Sequence, residues 1–334
     1  IDYSDIKKKG SLTYESKNGF LGFADKYFMV SLIPTKDAKV NFRHFVSNNK
    51  SNYQADYVGK AQTLASKQSY SNSTNLFIGP KAYQLLHSYG TKYNIPKFED
   101  SIDFGWFYFI TKPFLKVLLF FYDHLHSFGY AMLFFTILIR LCVFPITYMS
   151  FASMAKMKKI QPKLVDLKEK YGKDMQKYNK AMMDLYRKEK VNPLAGCLPL
   201  IIQIPILFSI YKVIYISIEM RHAPLWWIND LSAPDPSSIF NLFGLLPYGV
   251  PDFLTIGFWA IFMGFTMFVQ QKLSGVTIMN ETQKRVMNWL PVIITVVLAR
   301  FPVGLLIYWG WSNIISIVQQ VIINKIVDKR SNKK

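Results

Sequence analysis

Residues 127–155, SFGYAMLFFTILIRLCVFPITYMSFASMA, carry a single charge, Arg140. About 20 apolar residues suffice to cross the ~30 Å hydrocarbon layer as a helix. Arg140 falls near the middle of 129–151, so the sequence predicts a guanidinium close to a bilayer midplane. A charge there costs at least roughly 2.5–3.5 kcal/mol and marks a functional site whose partner has to be named. The other apolar segments, 197–218, 253–271, 286–299 and 303–323, contain no Asp or Glu, and Glu219 stands only at the rim of the first. Either Arg140 snorkels to a headgroup, or it faces water and neutral dipoles in a positively charged cavity within a helix bundle. The long reach from mid-span favours the cavity, which would attract acidic segments. Thr136 and Gln203 would then line it, and cysteines placed there would react with a water-soluble thiol reagent.

With 51% hydrophobic residues, including 27 Phe, 20 Tyr and 7 Trp, the chain belongs with membrane proteins that carry a polar domain. A net charge of +19 spread over a soluble surface would suggest nucleic acid. Here the charge is concentrated beside apolar segments, where it reads as topology and lipid contact, and DNA is not an expected partner. Cys142 and Cys197 both lie within apolar segments, so no structural disulfide is expected. The first residue is Ile1 and no signal-peptide pattern is present. A fragment lacking its membrane-targeting start is expected.

Residues 1–98 are polar and broken by turn signals, with β-type runs at 27–33 and 75–78, which predicts a mainly β domain. Gly79-Pro80 is expected to open a helix over 81–88, with proline at an early position. Residues 103–124 are aromatic-rich but carry Lys112, Lys116 and Asp123, giving an amphipathic helix over 99–126 that lies in the membrane interface or packs in a soluble core.

Residues 156–190 hold twelve Lys or Arg against five acids, a net +7. Met157, Ile160, Leu164, Leu167 and Tyr171 repeat at 3-4-3-4, and Met175, Tyr178, Met182 and Leu185 at 3-4-3, with Gly172 between. The spacing predicts a helical hairpin with a coiled-coil seam. Its charges suit a solvated face as well as they suit docking. Prolines at 193, 199 and 205 interrupt the next segment and free carbonyls that neighbouring helices, hydroxyls or water must satisfy. Lys212 on that segment either adds charge to the cavity or snorkels outward.

Residues 221–252 bear Asp230, Asp235 and Asp252 against Arg221 and His222. By the positive-inside rule the hairpin is cytoplasmic, with 221–252 and the N-terminal region outside. Trp226 and Trp227 suit the outer interfacial belt. Residues 272–285 carry Lys272, Lys284 and Arg285, and 325–334 form a basic tail, both inside. Residues 286–299 give only about 21 Å of helix, short for a bilayer. Five spans with three basic segments inside are self-consistent.

Four motifs then carry a resemblance: FEDSIDFGWFYFITKP (98–113), SMAKMKKIQPK (153–163), KVNPLAGCLPLIIQIPI (190–206) and FPVGLLIYWGWSNIISIVQQ (301–320). In this order, and over nearly the whole chain, they resemble the YidC/Oxa/Alb family of membrane protein insertases. The resemblance implies a mainly α membrane protein. A five-helix transmembrane bundle (127–334) with a cytoplasmic hairpin would be preceded by part of a periplasmic β-sandwich domain. It implies an inner-membrane insertase and chaperone whose hydrophilic groove opens to cytoplasm and lipid. Nascent membrane proteins would be its clients. The Sec translocon, the ribosome or signal-recognition targeting machinery, and membrane lipids would be its partners. The family's groove arginine matches Arg140 and its polar neighbour Thr136, and the aromatic pair facing substrate matches Tyr308 and Trp309. Arg300 and Lys212 depart from the family pattern and bear on substrate range.

A secondary transporter would need inverted repeats and coupling acids near the midplane, and the apolar segments show neither. A purely structural assembly factor remains the other reading. No nucleophile–base pair, phosphate loop or metal-ligand spacing occurs, and the five histidines lie outside all the apolar segments. The chain is therefore expected to have no catalytic residues, metal or cofactor.

Overall fold

The computed structural model describes residues 3–172, 174–189, 191–192, 198–246, 248, 250–251, 255–274 and 281–331. Lys173, Lys190, residues 193–197 of the proline-rich motif, Asp252, Phe253 and the tail end 332–334 lie outside the described residues, as does the side chain of Lys284. Contacts divide the chain into two units, 1–104 with 216–219, and 105–215 with 220–334.

The first unit opens with α1 (Tyr3–Lys9) and is built on two three-stranded antiparallel sheets. One has the order β1 (Ser11–Ser16), β4 (Ala38–Ser47), β5 (Lys50–Gly59), and the other β2 (Leu21–Ala24), β3 (Phe28–Pro34), β6 (Thr74–Pro80). Asn48 and Asn49 both take left-handed backbone angles (φ 52° and 58°), so a two-residue turn matching strand twist closes β4 onto β5. Along β3, Met29, Ser31 and Ile33 point inward while Phe28 and Val30 are exposed, the alternation of a half-buried strand. Phe98 sits at the centre of this core, edge-on to Phe20 at 5.0 Å and Phe77 at 5.4 Å. Both predicted β runs fall on strands, β3 and β6. The helix expected at 81–88 is displaced: Pro80 ends β6 opposite Phe28, Ala82 stays extended, and α2 begins at Tyr83 (Tyr83–Lys92). The sheet ladder claims Pro80, and Lys81 still donates to the Tyr27 carbonyl at 2.8 Å.

In the second unit α3 (Tyr108–Leu125) buries Thr111, Leu115, Leu118 and Leu119, which lie on one helical face, and seats Phe114 edge-on against Phe135 of α4 at 5.1 Å. The 129–151 segment is not one helix. α4 (Phe128–Cys142) and α5 (Phe144–Tyr171) meet at a 64° bend. Pro145 lies in the first turn of α5 and has no N–H to continue the ladder. Ile146 and Thr147 instead both donate to the Val143 carbonyl at 3.1 Å, starting a new helix. Arg140 is therefore in the last turn of α4, beside the break.

α5 and α6 (Met175–Lys188) form the expected hairpin, with Asp174 capping α6 by accepting from Lys177 N at 3.1 Å. The seam buries Ile160, Leu164, Tyr186 and Val191, with Met157, Met182 and Leu185 against them. Met175, assigned to the seam by spacing, is exposed, and Tyr186, one residue past the expected row, takes the core position. Lys163 closes the open end with a 2.6 Å ion pair to Glu189, and its hydrogen bond and charge hold Glu189 below the usual carboxylate range. At its other end α5 packs Phe151 on Ile323 and Val327 of α10 (Val303–Ser331).

α7 (Leu198–Ile216), α8 (Phe258–Ser274), α9 (Glu281–Leu298) and α10 complete the unit. By length and composition α10, and the bent pair α4–α5 taken together, are apolar enough to cross a membrane, whereas 201–216 and 285–298 are shorter apolar helices. Small residues bring the helices close: a Cβ on Gly264 of α8 would lie 2.0 Å from Thr295 Oγ1 of α9, and one on Gly310 of α10 would lie 3.0 Å from the Phe262 ring. Asp235 in the preceding loop accepts from Trp259 N at 2.9 Å and fixes the start of α8. Trp226 and Trp227 are half-exposed and stack on Trp259 at 5.5 and 5.4 Å.

Two outcomes follow from this packing. Gly264→Val should lower stability by about 1–3 kcal/mol through overpacking, read as a fall in the thermal midpoint in detergent, while an unchanged midpoint would refute the α8–α9 contact. The depressed Glu189 contributes hairpin stability that is present above the ordinary carboxylate pKa and lost as pH falls through its depressed value. Acidification should therefore lower the protection of α6 amides, read as exchange relative to the intrinsic rate at each pH, and Glu189→Gln should reduce that loss of protection, leaving the part due to the Asp174 cap, which is also held low.

Candidate functional site

Three helices converge on Arg140. Its Nε donates to Ser312 Oγ of α10 at 2.7 Å, one Nη also reaches Ser312 Oγ, and the same Nη donates to Gln203 Oε1 of α7 at 3.2 Å. Gln203 Nε2 then donates to Tyr308 Oη at 3.2 Å, which orients the amide. Arg140 is 8% exposed, Ser312 is fully buried and Tyr308 is 1% exposed. Among the described residues no carboxylate bonds to Arg140, and Glu219, within the first unit, is engaged by Ser217 Oγ at 2.6 Å and Tyr83 N at 3.3 Å. The guanidinium stays protonated in proteins. Its charge is bound by neutral dipoles and is not cancelled.

The last turn of α4 adds to this. Its carbonyls form the negative end of the helix dipole, where a cation is favoured by roughly 0.3–1 kcal/mol. Two carbonyl acceptors there are occupied: Ile139 and Leu141 both receive the N–H of Val143.

The structure brings together Arg140, Gln203 and Tyr308 of the expected residues. Thr136, one turn before Arg140, is fully buried and donates back to the Met132 carbonyl at 2.7 Å, so its hydroxyl serves its own helix. A wet position at 136 does not match that burial. Trp309 is half-buried and one residue further round α10 than Tyr308. Lys212 lies nine residues beyond Gln203, about two and a half turns and 13.5 Å along α7, so it takes the opposite face. It packs near Gly105, where an added Cβ would lie 3.4 Å from Lys212 Cε.

Ser312 was not among the expected site residues. Its signal is present in the motif at 301–320, where Tyr308, Ser312, Ser316 and Gln320 recur every fourth residue on a helix otherwise rich in Ile, Val and Trp. All four are buried.

Removing the serine hydroxyl tests the cluster. Ser312→Ala leaves Nε without its acceptor and should destabilise the folded protein by about 1–3 kcal/mol, whereas Ser312→Thr should retain most of the stability. Equal thermal midpoints for the alanine and wild-type proteins would show that the serine does not hold Arg140.

Comparison with known proteins gives a consistent pattern. A family model described as "60Kd inner membrane protein" matches residues 120–331, and one described as "YidC periplasmic domain" matches residues 1–117. The membrane protein insertase YidC of Agrobacterium fabrum is 46% identical over 325 residues, covering 97% of this chain and 54% of the relative. That of Brucella suis is 47% identical over 329 residues, covering 97% and 54%. That of Rickettsia canadensis is 47% identical over 327 residues, covering 97% and 58%. The chain thus spans about half the length of the curated relatives it matches. A crystal structure described as an active YidC insertase with the first transmembrane domain resolved aligns with a TM-score of 0.51 at 18% identity, covering 92% of this chain and 78% of that one. This last likeness concerns the fold: a helical core following an N-terminal β-rich domain.

Proposed function

This chain belongs to the YidC family of inner-membrane proteins, and from that premise we propose that it inserts membrane proteins and assists their folding. Its clients would be nascent membrane proteins. The observation that carries the reading is the buried Arg140, held by Ser312 and Gln203 without a neutralising acid. An uncancelled cation in an apolar bundle attracts a negatively charged tail without anchoring it through an ion pair formed beforehand. We place Arg140, Gln203 and Tyr308 at the wall of a hydrophilic groove open to cytoplasm and lipid. Thr136 would support the wall from behind, Trp309 would meet the apolar segment leaving for lipid, and Lys212 would tune the far end of α7. The step is physical transfer and involves no covalent chemistry.

The remaining arrangement follows from charge and length. Five spans, at about 129–151, 197–218, 253–271, 286–299 and 303–323, would place residues 1–126 on the periplasmic side and the 156–190 hairpin in the cytoplasm. The apolar part of α9, residues 285–298, is short for a ~30 Å core, and local thinning would lower the barrier to a crossing tail. The basic hairpin and tail would meet the ribosome or signal-recognition machinery, and the bundle the Sec translocon.

Two substitutions separate the role of the charge from its role in packing. Ser312→Asp would neutralise Arg140 in place. It should leave the thermal midpoint near or above that of wild type while slowing insertion of a single-span client with an acidic tail into liposomes by about tenfold. A client with a neutral tail should be affected less. Full activity of this variant on both clients would overturn the electrostatic reading.

A further inference from the structure

A second polar feature lies away from Arg140, where α5, α8 and the charged end of α10 meet. It is a cavity of about 270 Å³. Gln320 and Ser274 lie at its base: Gln320 is 1% exposed, and its Nε2 donates to Ser274 Oγ at 3.3 Å, which in turn donates to the Gln270 carbonyl at 2.9 Å. The Gln320 amide is thereby oriented, and its Oε1 is left buried with no hydrogen-bond donor. A buried acceptor in this condition has lost its bonds to water without replacement and calls for a donor. Met154, Ala155 and Leu273 give the cavity an apolar side. At the rim stand Lys158, Lys159 and Asp328, with Lys159 and Asp328 paired at 2.9 Å. The walls are held by the packing of Phe151 on Ile323 and Val327.

These groups ask for a ligand of mixed charge. A bare phosphate would satisfy the lysines but would meet the Asp328 carboxylate as a like charge and the Gln320 oxygen as one acceptor facing another. A quaternary ammonium has no N–H to give to Gln320 Oε1. A primary ammonium joined to a phosphodiester matches these groups together: its N–H donors go to Gln320 Oε1 and Asp328, and its phosphate oxygens to Lys158 and Lys159, while the Asn324 amide, which also lines the cavity, can donate to the phosphate or accept from the ammonium. The cavity sits where α10 passes from apolar residues to Lys325, Asp328 and Lys329, and where α8 ends just past Lys272. For spanning helices this is headgroup depth. We infer that the cavity binds the headgroup of an amine-bearing phospholipid of the phosphoethanolamine type, with Met154, Ala155 and Leu273 against its glycerol and upper acyl carbons.

The test uses the delipidated chain in detergent, with lipid retention counted by native mass spectrometry. Phosphatidylethanolamine, phosphatidylcholine and phosphatidylglycerol of identical acyl chains are compared. Phosphatidylethanolamine should be held about tenfold more tightly than either, the equivalent of one charge-assisted hydrogen bond. Lys158→Ala and Asp328→Asn, both at exposed positions, should each weaken it by about fivefold to tenfold without changing the thermal midpoint of the lipid-free protein. Gln320→Met should cut the preference over phosphatidylcholine to about threefold, the share left to Asp328. Water-soluble glycerophosphoethanolamine should compete and inorganic phosphate should not. Equal retention of the three lipids, or a preference for phosphatidylglycerol, would overturn the inference, as would displacement by inorganic phosphate, which would make free phosphate the ligand.

Discussion

A cation inside an apolar bundle has to be satisfied by something other than water, and in this chain it is satisfied without a second charge. Serine and glutamine oxygens, each from a different helix, accept the guanidinium N–H groups, so α4, α7 and α10 are held in one relative rotation by hydrogen bonds to a single side chain. Hydrogen bonds to charged groups contribute about 1.5–3 kcal/mol each. A carboxylate partner would have bound more directly, but it would have removed the field at short range. Neutral dipoles keep the arginine folded in place without cancelling its charge.

The bend at Val143 is the second condition. Had 129–151 been one straight helix, Arg140 would lie mid-helix with both flanking turns fully hydrogen-bonded. Pro145 instead ends the ladder just beyond it, so the arginine stands at the carbonyl end of α4, where the local dipole favours a cation. The helix that starts at the break is the one that leaves the bundle to form the first arm of the basic hairpin. One proline thus sets both the electrostatic surroundings of the arginine and the exit direction of the hairpin.

How much of this could be read beforehand depended on the range of the signal. Heptad-like spacing is local, and it found the hairpin and its residues Ile160, Leu164, Met182 and Leu185. The seam's end at Tyr186 escaped it because residues of α5 across the turn, Ile160, Leu164 and the Lys163 that pairs with Glu189, decide which face closes. The β-type runs marked β3 and β6 for the same local reason, and the Gly79-Pro80 helix signal failed because a strand partner 52 positions earlier, Phe28, holds Pro80 in the sheet. Arg140 was conspicuous as a lone charge. Its partner Ser312 was not, since a serine among apolar residues looks the same whether it faces lipid, its own helix, as Thr136 does, or an arginine 172 positions away.

The polar rows of α10 show how that ambiguity resolves. Each step of four residues on a 3.6-residue helix turns the row by about 40°, so from Ser312 to Gln320 it drifts by about 80°. Ser312 therefore meets α4 while Gln320 meets α8 through Ser274. A seven-residue step drifts by only about 20° in the opposite sense, which puts Asn313 on the same side as Gln320. Asn313 Nδ2 accordingly donates to Thr266 Oγ1 of α8 at 3.1 Å. On α10 the polar pair eight apart, Ser312 and Gln320, serves different neighbours and the pair seven apart, Asn313 and Gln320, serves one. Two interhelical bonds seven residues apart pin the rotation of α10 on α8, and that rotation is what aims Ser312 at the arginine.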